Sequence, residues 1–463
     1  MKSVQEIPWC EEKKMVLENP IASTIRVPSK QFNSAAAVGS NALQLLIMTQ
    51  FFPPDFAATG QLIEELVQQL GKQQVDVRVF TGQPGYAFAK DKAPVVEQTG
   101  RIWVKRSRMT QLFPRRIRGK ALNGLLFSIR SIFHLVKRFK QYQVLLVTTA
   151  PPFLPVVGYL ANLFLGLPYV CLLYDLYPDI AVELKVIKPS HPIIRLWRVV
   201  NQKIWRRAAG IIVLSPSMKA QVVNSCPEVA DKISVIHSWA NEEIISREKA
   251  DNWFAQKHRL VDPFVVLYSG NMGRCHDIDT IFETAKQLQS EPVLFVCIGG
   301  GAKRRILQDT ITATGLKNFL FLPYQEKAVL PYSLTACDLS LVSVEVGMES
   351  LVAPSKLYPS MAAGKPVVAI CPPNSYLRPL LEEARGGAAF SNGESQQLAA
   401  YIRHLTQNRA EAAKLGALGR QYVKANFTSE LISQQYLAVL KRAVSQGSKS
   451  KQTSDTWDYT VGQ

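Results

Sequence analysis

Three short stretches put small, basic and hydroxyl residues where a strand would give way to a helix: SGNMGR at 269–274, IGGGAKRR at 298–305 and PSKLY at 354–358. The chemistry such stretches serve is anion binding. Backbone N–H groups at a helix mouth lack intrahelical partners and the helix dipole points its positive end outward, so a phosphate is well held there. Glycine lets backbone approach such a group closely, and arginine can grip two of its oxygens at once. In the first stretch Gly270, Asn271 and Gly273 would line the anion and Arg274 would contact its oxygens. In the second, Gly300 would approach it, while Lys303, Arg304 and Arg305 occupy a first helical turn, where cations oppose the dipole unless an anion is near; a solvated helix explains them equally well. In the third, Ser355 and Lys356 open a short helix that Pro359 interrupts and Gly364 ends, directly before the apolar strand PVVAI. Each stretch alone can be plain helix punctuation. Three at corresponding places in one half of the chain argue for a shared phosphate site.

Acidic residues divide differently. Asp277 and Asp279 begin the helical segment DIDTIFETAKQL, where acidic caps suit the dipole, so capping is expected and a metal is not. Asp175 and Asp179 in YDLYPD follow a strand end, where a carboxylate can meet sugar hydroxyls or act on an acceptor; a turn through Pro178 is the alternative. The six histidines form no zinc-type pair, and neither GxSxG nor the P-loop pattern occurs.

The elements that must position these residues alternate strand and helix. LQLLIMTQ, VDVRVFTG, VLLVTT, YVCLLY and GIIVLS read as strands, interleaved with helices such as QLIEELVQQLG and a Pro216 helix capped by Ser215. The scheme restarts at PFVVLYSG and runs through PVLFVCIGG, DLSLVSVE and PVVAI. Alternating βα units in two blocks predict an α/β chain of two Rossmann-like, doubly wound parallel sheets. Ligands in such folds sit beyond the carboxyl ends of the strands, so the two domains should face each other across one cleft. The expected division is an N-terminal extension at 1–40, a first domain at 41–240, a second at 241–428, a C-terminal helix at 429–445 and a disordered tail at 446–463.

A length of 463 residues agrees with more than one domain. Seven scattered cysteines without a CxxC pair argue for a reducing compartment, and a cytoplasmic chain is expected. The net charge of +18 is concentrated: residues 101–140 hold twelve Lys and Arg and no Asp or Glu. Interleaved with them, Leu125, Leu126, Ile129, Ile132, Phe133 and Val136 recur at helical spacing. A basic amphipathic helix suits the anionic surface of a membrane, each Lys or Arg near it contributing about 1 kcal/mol. Nucleic acid is not expected as a partner. Residues 144–174 carry no charge, but Pro151, Pro152, Pro155 and Pro168 cut the run too short for a membrane span. A buried βαβ unit is the better reading.

Taken together, TQFFPPDFAATGQ, YDLYPDIAVEL, IIVLSPSM, VLYSGNMGR and PSKLYPSMAAGKPVVA resemble glycosyltransferase family 4, enzymes of the two-domain GT-B fold, and within it the colanic-acid type of bacterial exopolysaccharide enzyme. The resemblance covers about residues 43–440. It implies a retaining glycosyltransferase that uses a nucleotide-sugar donor and a lipid-linked or saccharide acceptor, without an obligatory metal or other cofactor; the basic residues 101–140 add the expectation of a peripheral place on the inner face of the plasma membrane. Carried over by position, Gly270–Arg274 and Ser355, Lys356 and Leu357 resemble the contacts to the donor diphosphate, and Gly60 closes the loop facing it from the first domain. The family's Glu-x7-Glu pair falls here on Leu351 and Pro359, so the donor ribose must be held otherwise; Glu349 is the substitute offered by the sequence. The customary lysine near Arg274 falls on His276 or is absent. Catalysis would then rest on Arg274 and Lys356, with Asp175 from the first domain. Two alternatives are a GT-B-like nucleotide-sugar 2-epimerase and a non-catalytic, membrane-associated assembly protein.

Overall fold

The computed structural model describes residues 42–457 apart from 56, 85–92, 108–116 and 241–243. The expected extension at 1–40, and Arg108, Arg115 and Arg116 of the basic stretch, lie outside the described residues.

Two sheets form, one from each block. The first holds β1 (Gln44–Met48), β2 (Asp76–Thr81), β3 (Val96–Thr99), β4 (Ile102–Arg106), β5 (Val144–Thr148), β6 (Tyr169–Leu173), β7 (Gly210–Val213) and β8 (Ile233–Val235). Its order is β3-β4-β2-β1-β5-β6-β7-β8, parallel except for the β3–β4 pair. The second holds β9 (Phe264–Ser269), β10 (Val293–Ile298), β11 (Phe319–Leu322), β12 (Leu339–Ser343), β13 (Val367–Ile370) and β14 (Gly387–Phe390), in the order β11-β10-β9-β12-β13-β14 and parallel throughout. Strands β1, β5, β6 and β9 are almost wholly buried because helices cover both faces, which is why their sequences carry no charge. The run 144–174 is the expected strand–helix–strand unit, with helix Pro155–Leu165 between β5 and β6. No helix among the described residues is long and apolar enough to cross a membrane.

Each sheet reverses winding direction once, between β1 and β5 in the first and between β9 and β12 in the second. Loops diverge there and leave a crevice at the carboxyl edge. The two crevices meet. Asp175, just past β6, pairs with Val352 of the second domain in an isolated bridge, and the Leu176 amide donates to the Leu351 carbonyl at 3.1 Å. Lys327 of the second domain pairs with Glu64 of the first at 3.0 Å.

The chain recrosses at Thr428, which bridges to Ala240, and the final helix packs against the first domain. Gln69 and Gln73 of helix Ala58–Lys72 donate to Ser429 and Ser433 of that helix at 2.9 and 2.6 Å. It runs Ser429–Trp457, beyond the 445 at which composition ends it and into the segment expected to be a tail. Its contact with the first domain extends to Gly447 against Pro168, and an established helix propagates cheaply where no proline intervenes.

The basic stretch is not one surface. Arg101 pairs with Asp76 at 2.8 Å, and Arg106 is buried in β4, paired with Glu97 at 3.0 Å.

Candidate active site

The second-domain wall of the crevice is built by the loops leaving β9, β10 and β12. The β9 and β10 loops lie directly on each other: the Met272 amide donates to the Gly300 carbonyl at 2.6 Å and the Gly270 amide to Ile298 at 2.8 Å. Gly299 and Gly301 hold φ of 128° and 124°, and a Cβ on either would fall 2.2 Å from the Gly270 oxygen or 2.4 Å from the Met272 oxygen. The glycines of IGGGAKRR therefore serve loop-on-loop packing. Gly300, expected at the donor, lies under the Tyr324 ring, 2.9 Å from where its Cβ would be. Gly60 likewise sits in the first turn of helix Ala58–Lys72 against the backbone of Phe51 and Phe52, which accounts for it by packing.

Lys356 occupies the switch point between β9 and β12. Its ammonium donates to the Tyr268 hydroxyl at 2.5 Å and the Asn271 carbonyl at 3.4 Å, and lies 4.0 Å from the centre of the Tyr268 ring. No carboxylate pairs with it among the described residues. Burial of the ammonium therefore pulls its pKa down to about 7. Tyr268, buried in β9, donates a hydrogen bond from its hydroxyl to the Asn271 carbonyl at 3.1 Å, so it orients lysine and loop together.

Arg274, in the loop that follows β9, is exposed and forms no ion pair or hydrogen bond among the described residues. Asn271 is exposed beside it, Gly273 partly so. His276 supplies no charge. Its Nδ1 meets the Ser343 carbonyl at 2.7 Å, and burial, with Lys356 and Lys303 nearby, lowers its pKa to about 3. Lys303 is engaged by Glu345 at 2.5 Å and by the His276 carbonyl at 2.7 Å, tying the β9, β10 and β12 loops together. Arg304 lies over Phe321 and Arg305 beside Asp309, so neither needs an anion to explain it.

The PSKLY stretch folds as a six-residue helix, Leu357–Ala362, with Lys356 at its cap position. Pro359 falls in its first turn and does not interrupt it, since the missing N–H there would be unpaired anyway. Ser355 is partly exposed beside Lys356. Leu357 is wholly buried in the core and its amide already bonds the Pro354 carbonyl at 3.3 Å, so it cannot be a donor contact. Glu349 accepts from Asn374 at 3.1 Å through Oε1, while its Oε2 is buried without a partner among the described residues. Such an acceptor suits a ligand hydroxyl.

From the first domain, Asp175 enters the crevice. Thr149, just beyond β5, accepts from the Tyr174 and Asp175 amides at 3.1 and 3.4 Å and fixes the turn. Burial raises the pKa of the Cys275 thiol, beside Arg274, and the nearby Asp175 carboxyl raises it further; burial raises the carboxyl's own to about 6. Asp175 thus lies near Cys275 of the loop that also carries Arg274, and Lys356 bonds that same loop at the Asn271 carbonyl. Asp277 caps the helix Asp279–Gln287 as expected, accepting from the Thr280 amide at 3.0 Å and from Asn392 at 2.8 Å. Among the described residues no cluster of His, Cys, Asp or Glu could hold a metal ion.

Each sheet matches its own family model: residues 58–239 the glycosyl transferase 4-like domain, and residues 249–422 the glycosyl transferases group 1. The chain belongs to the GT-B glycosyltransferases. It is 28% identical to the probable glycosyltransferase WbjE of Pseudomonas aeruginosa over 87% of this chain and 99% of that one. It is 23% identical to the putative colanic acid biosynthesis glycosyl transferase WcaI of Escherichia coli over 85% and 99%. Among solved structures, Anabaena Alr3699/HepE in complex with UDP-glucose superposes with a TM-score of 0.63 at 18% identity, over 86% of this chain and 99% of that one. These similarities favour the transferase over the epimerase and the non-catalytic protein.

Proposed function

We propose that this glycosyltransferase moves a sugar, with retention, from a nucleotide-sugar donor held by the second domain to a lipid-linked or saccharide acceptor held by the first. The process served is cell-surface polysaccharide synthesis at the inner face of the plasma membrane, which the similarity to a colanic acid enzyme supports. The observation that carries the reading is Lys356: a half-buried ammonium at the switch point, held by the Tyr268 hydroxyl and the Asn271 carbonyl with no carboxylate partner among the described residues. A diphosphate supplies the missing negative charge, and similarity to a protein crystallised with UDP-glucose supports that class of ligand.

Residues then take definite roles. Lys356 and Arg274 stabilise charge growing on the diphosphate as the bond from the anomeric carbon to its oxygen breaks. The acceptor oxygen bonds to that carbon on the same face, and its proton passes to the departing diphosphate oxygen. No carboxylate nucleophile or metal is required. Asp175, ionised above about pH 6, accepts a hydrogen bond from a sugar or acceptor hydroxyl. Glu349 Oε2 takes a donor hydroxyl that the family's Glu at position 359, here proline, would otherwise take. The test is product stereochemistry by NMR after incubation with a panel of nucleotide sugars and a bacterial lipid extract, with and without chelator. Expected is a product with the donor's anomeric configuration, formed equally with chelator. An inverted product, or an epimerised donor without transfer, contradicts the proposal.

A further inference from the structure

Helix Ile117–Val136 is built inside out. Its inner face carries Asn123, Ser128, Ser131 and His134 alongside Phe127 and Leu135, all buried. Ser128 and Ser131 return their hydroxyls to the helix's own carbonyls at 3.0 and 2.9 Å, and His134 meets Tyr142 at 3.2 Å. Its outer face exposes an apolar stripe that includes Leu125, Ile129 and Phe133, the last 63% exposed. A helix made to cover a sheet and face water would place these residues the other way round.

The neighbouring helices also expose apolar residues. Helix Ile117–Val136 touches helix Pro155–Leu165, which touches helix Pro192–Arg207, so the three lie side by side over one face of the first sheet. Phe164 on the middle helix is 74% exposed and Leu196 on the third 64%, with Ile193 beside it. None of the three helices contains Asp or Glu. Arg130, Lys137, Arg195 and Lys203 flank the apolar residues without an ion pair among the described residues. Large apolar residues exposed on three adjacent, acid-free helices mark an interaction site.

We propose that the outer face of these three helices docks on an anionic lipid bilayer, the apolar stripe entering the headgroup boundary and the basic flanks meeting lipid phosphates. Charge decides the occupant. A second copy related by a two-fold axis would bring this acid-free basic face against itself, whereas an anionic surface complements it. The face also adjoins the crevice: Trp197 of the third helix packs on Phe153 and Tyr177, 5.0 and 6.0 Å between ring centres, and Asn201 donates to the Tyr177 carbonyl at 2.7 Å. Tyr177 is two residues past Asp175. A docked enzyme therefore holds its acceptor side at the lipid boundary, which selects the lipid-linked acceptor over a free saccharide; only this last step rests on the proposed function.

The experiment is flotation of the full chain with vesicles of phosphatidylcholine alone and of equal parts phosphatidylcholine and phosphatidylglycerol. Binding is expected to the mixed vesicles only, weakened by high salt. Phe133→Glu with Leu196→Glu, and separately Arg195→Glu with Lys203→Glu, should each weaken it about tenfold or more. Lys441→Glu, on the exposed side of the final helix, should not. Nucleotide-sugar binding, measured on the same samples, should be unchanged in all three, so a failed donor site and a failed docking face give different results. The proposal is overturned if the folded double variants float like wild type, if phosphatidylcholine alone binds as well, or if the glutamate variants instead convert a dimer to a monomer in sedimentation.

Discussion

Lys356→Ala is expected to lower kcat by about 10²–10³, the usual cost of removing one preorganised electrostatic donor from a transition state. The argument is geometric. The ammonium is held by Tyr268 and Asn271 at the carboxyl edge of β9 and β12, and no carboxylate neutralises it among the described residues. Burial disfavours its charge, and a bound anion would give it a partner. Lys356→Arg should recover part of the rate, since charge returns in the wrong shape. Stability provides an independent signature. Burial lowers the folded-state pKa to about 7 from the ordinary lysine value of 10.5, so between those values the unfolded chain binds the additional proton. Wild-type stability should therefore rise with pH across that window, and the alanine variant should lack that slope. Initial rates and thermal melts across pH check both; an unchanged kcat refutes the role.

Arg274→Ala should lower kcat/KM by about 10²-fold while leaving the melting temperature nearly unmoved. The side chain is exposed and has no partner among the described residues, yet its loop is pinned by the packing of Met272 on Gly300. A fixed origin with a free guanidinium suits a ligand that presents two oxygens. Arg274→Lys should restore only a minor part, because a point charge cannot bridge both. Steady-state kinetics with the best donor decide it, and equal values for wild type and alanine variant contradict it.

Why these two residues were visible in the sequence, and others were not, follows from what a strand end conceals. Uncharged strands such as VLLVTT and the restart at PFVVLYSG give away two parallel sheets, because only burial on both faces tolerates such runs. Glycines and cations just past a strand are legible because they are unusual there. Tyr268 and Thr149 carry no such mark: each looks like ordinary strand or turn material. Tyr268 becomes part of the site only because the sheet order sets β9 beside β12, joining residues 88 apart in the chain. The opposite error arose at Gly300, where a glycine wanted by its neighbouring loop resembles one wanted by a phosphate. Leu357 shares a motif with Lys356 but points into the core. The stripe on helix Ile117–Val136 was legible as apolar, while its outward direction was not, since a hydrophobic pattern fixes a face and not what covers it.

The central claim is that a diphosphate completes the charge of Lys356. Calorimetric titration of the best-binding nucleotide sugar, at about pH 8.5 in buffers of different ionisation enthalpy, tests it most directly. The account predicts uptake of close to one proton per ligand bound, affinity that falls as pH rises through about 7, and loss of both effects in Lys356→Ala. Binding of the same ligand with no proton uptake, and with identical pH dependence in wild type and variant, would contradict it.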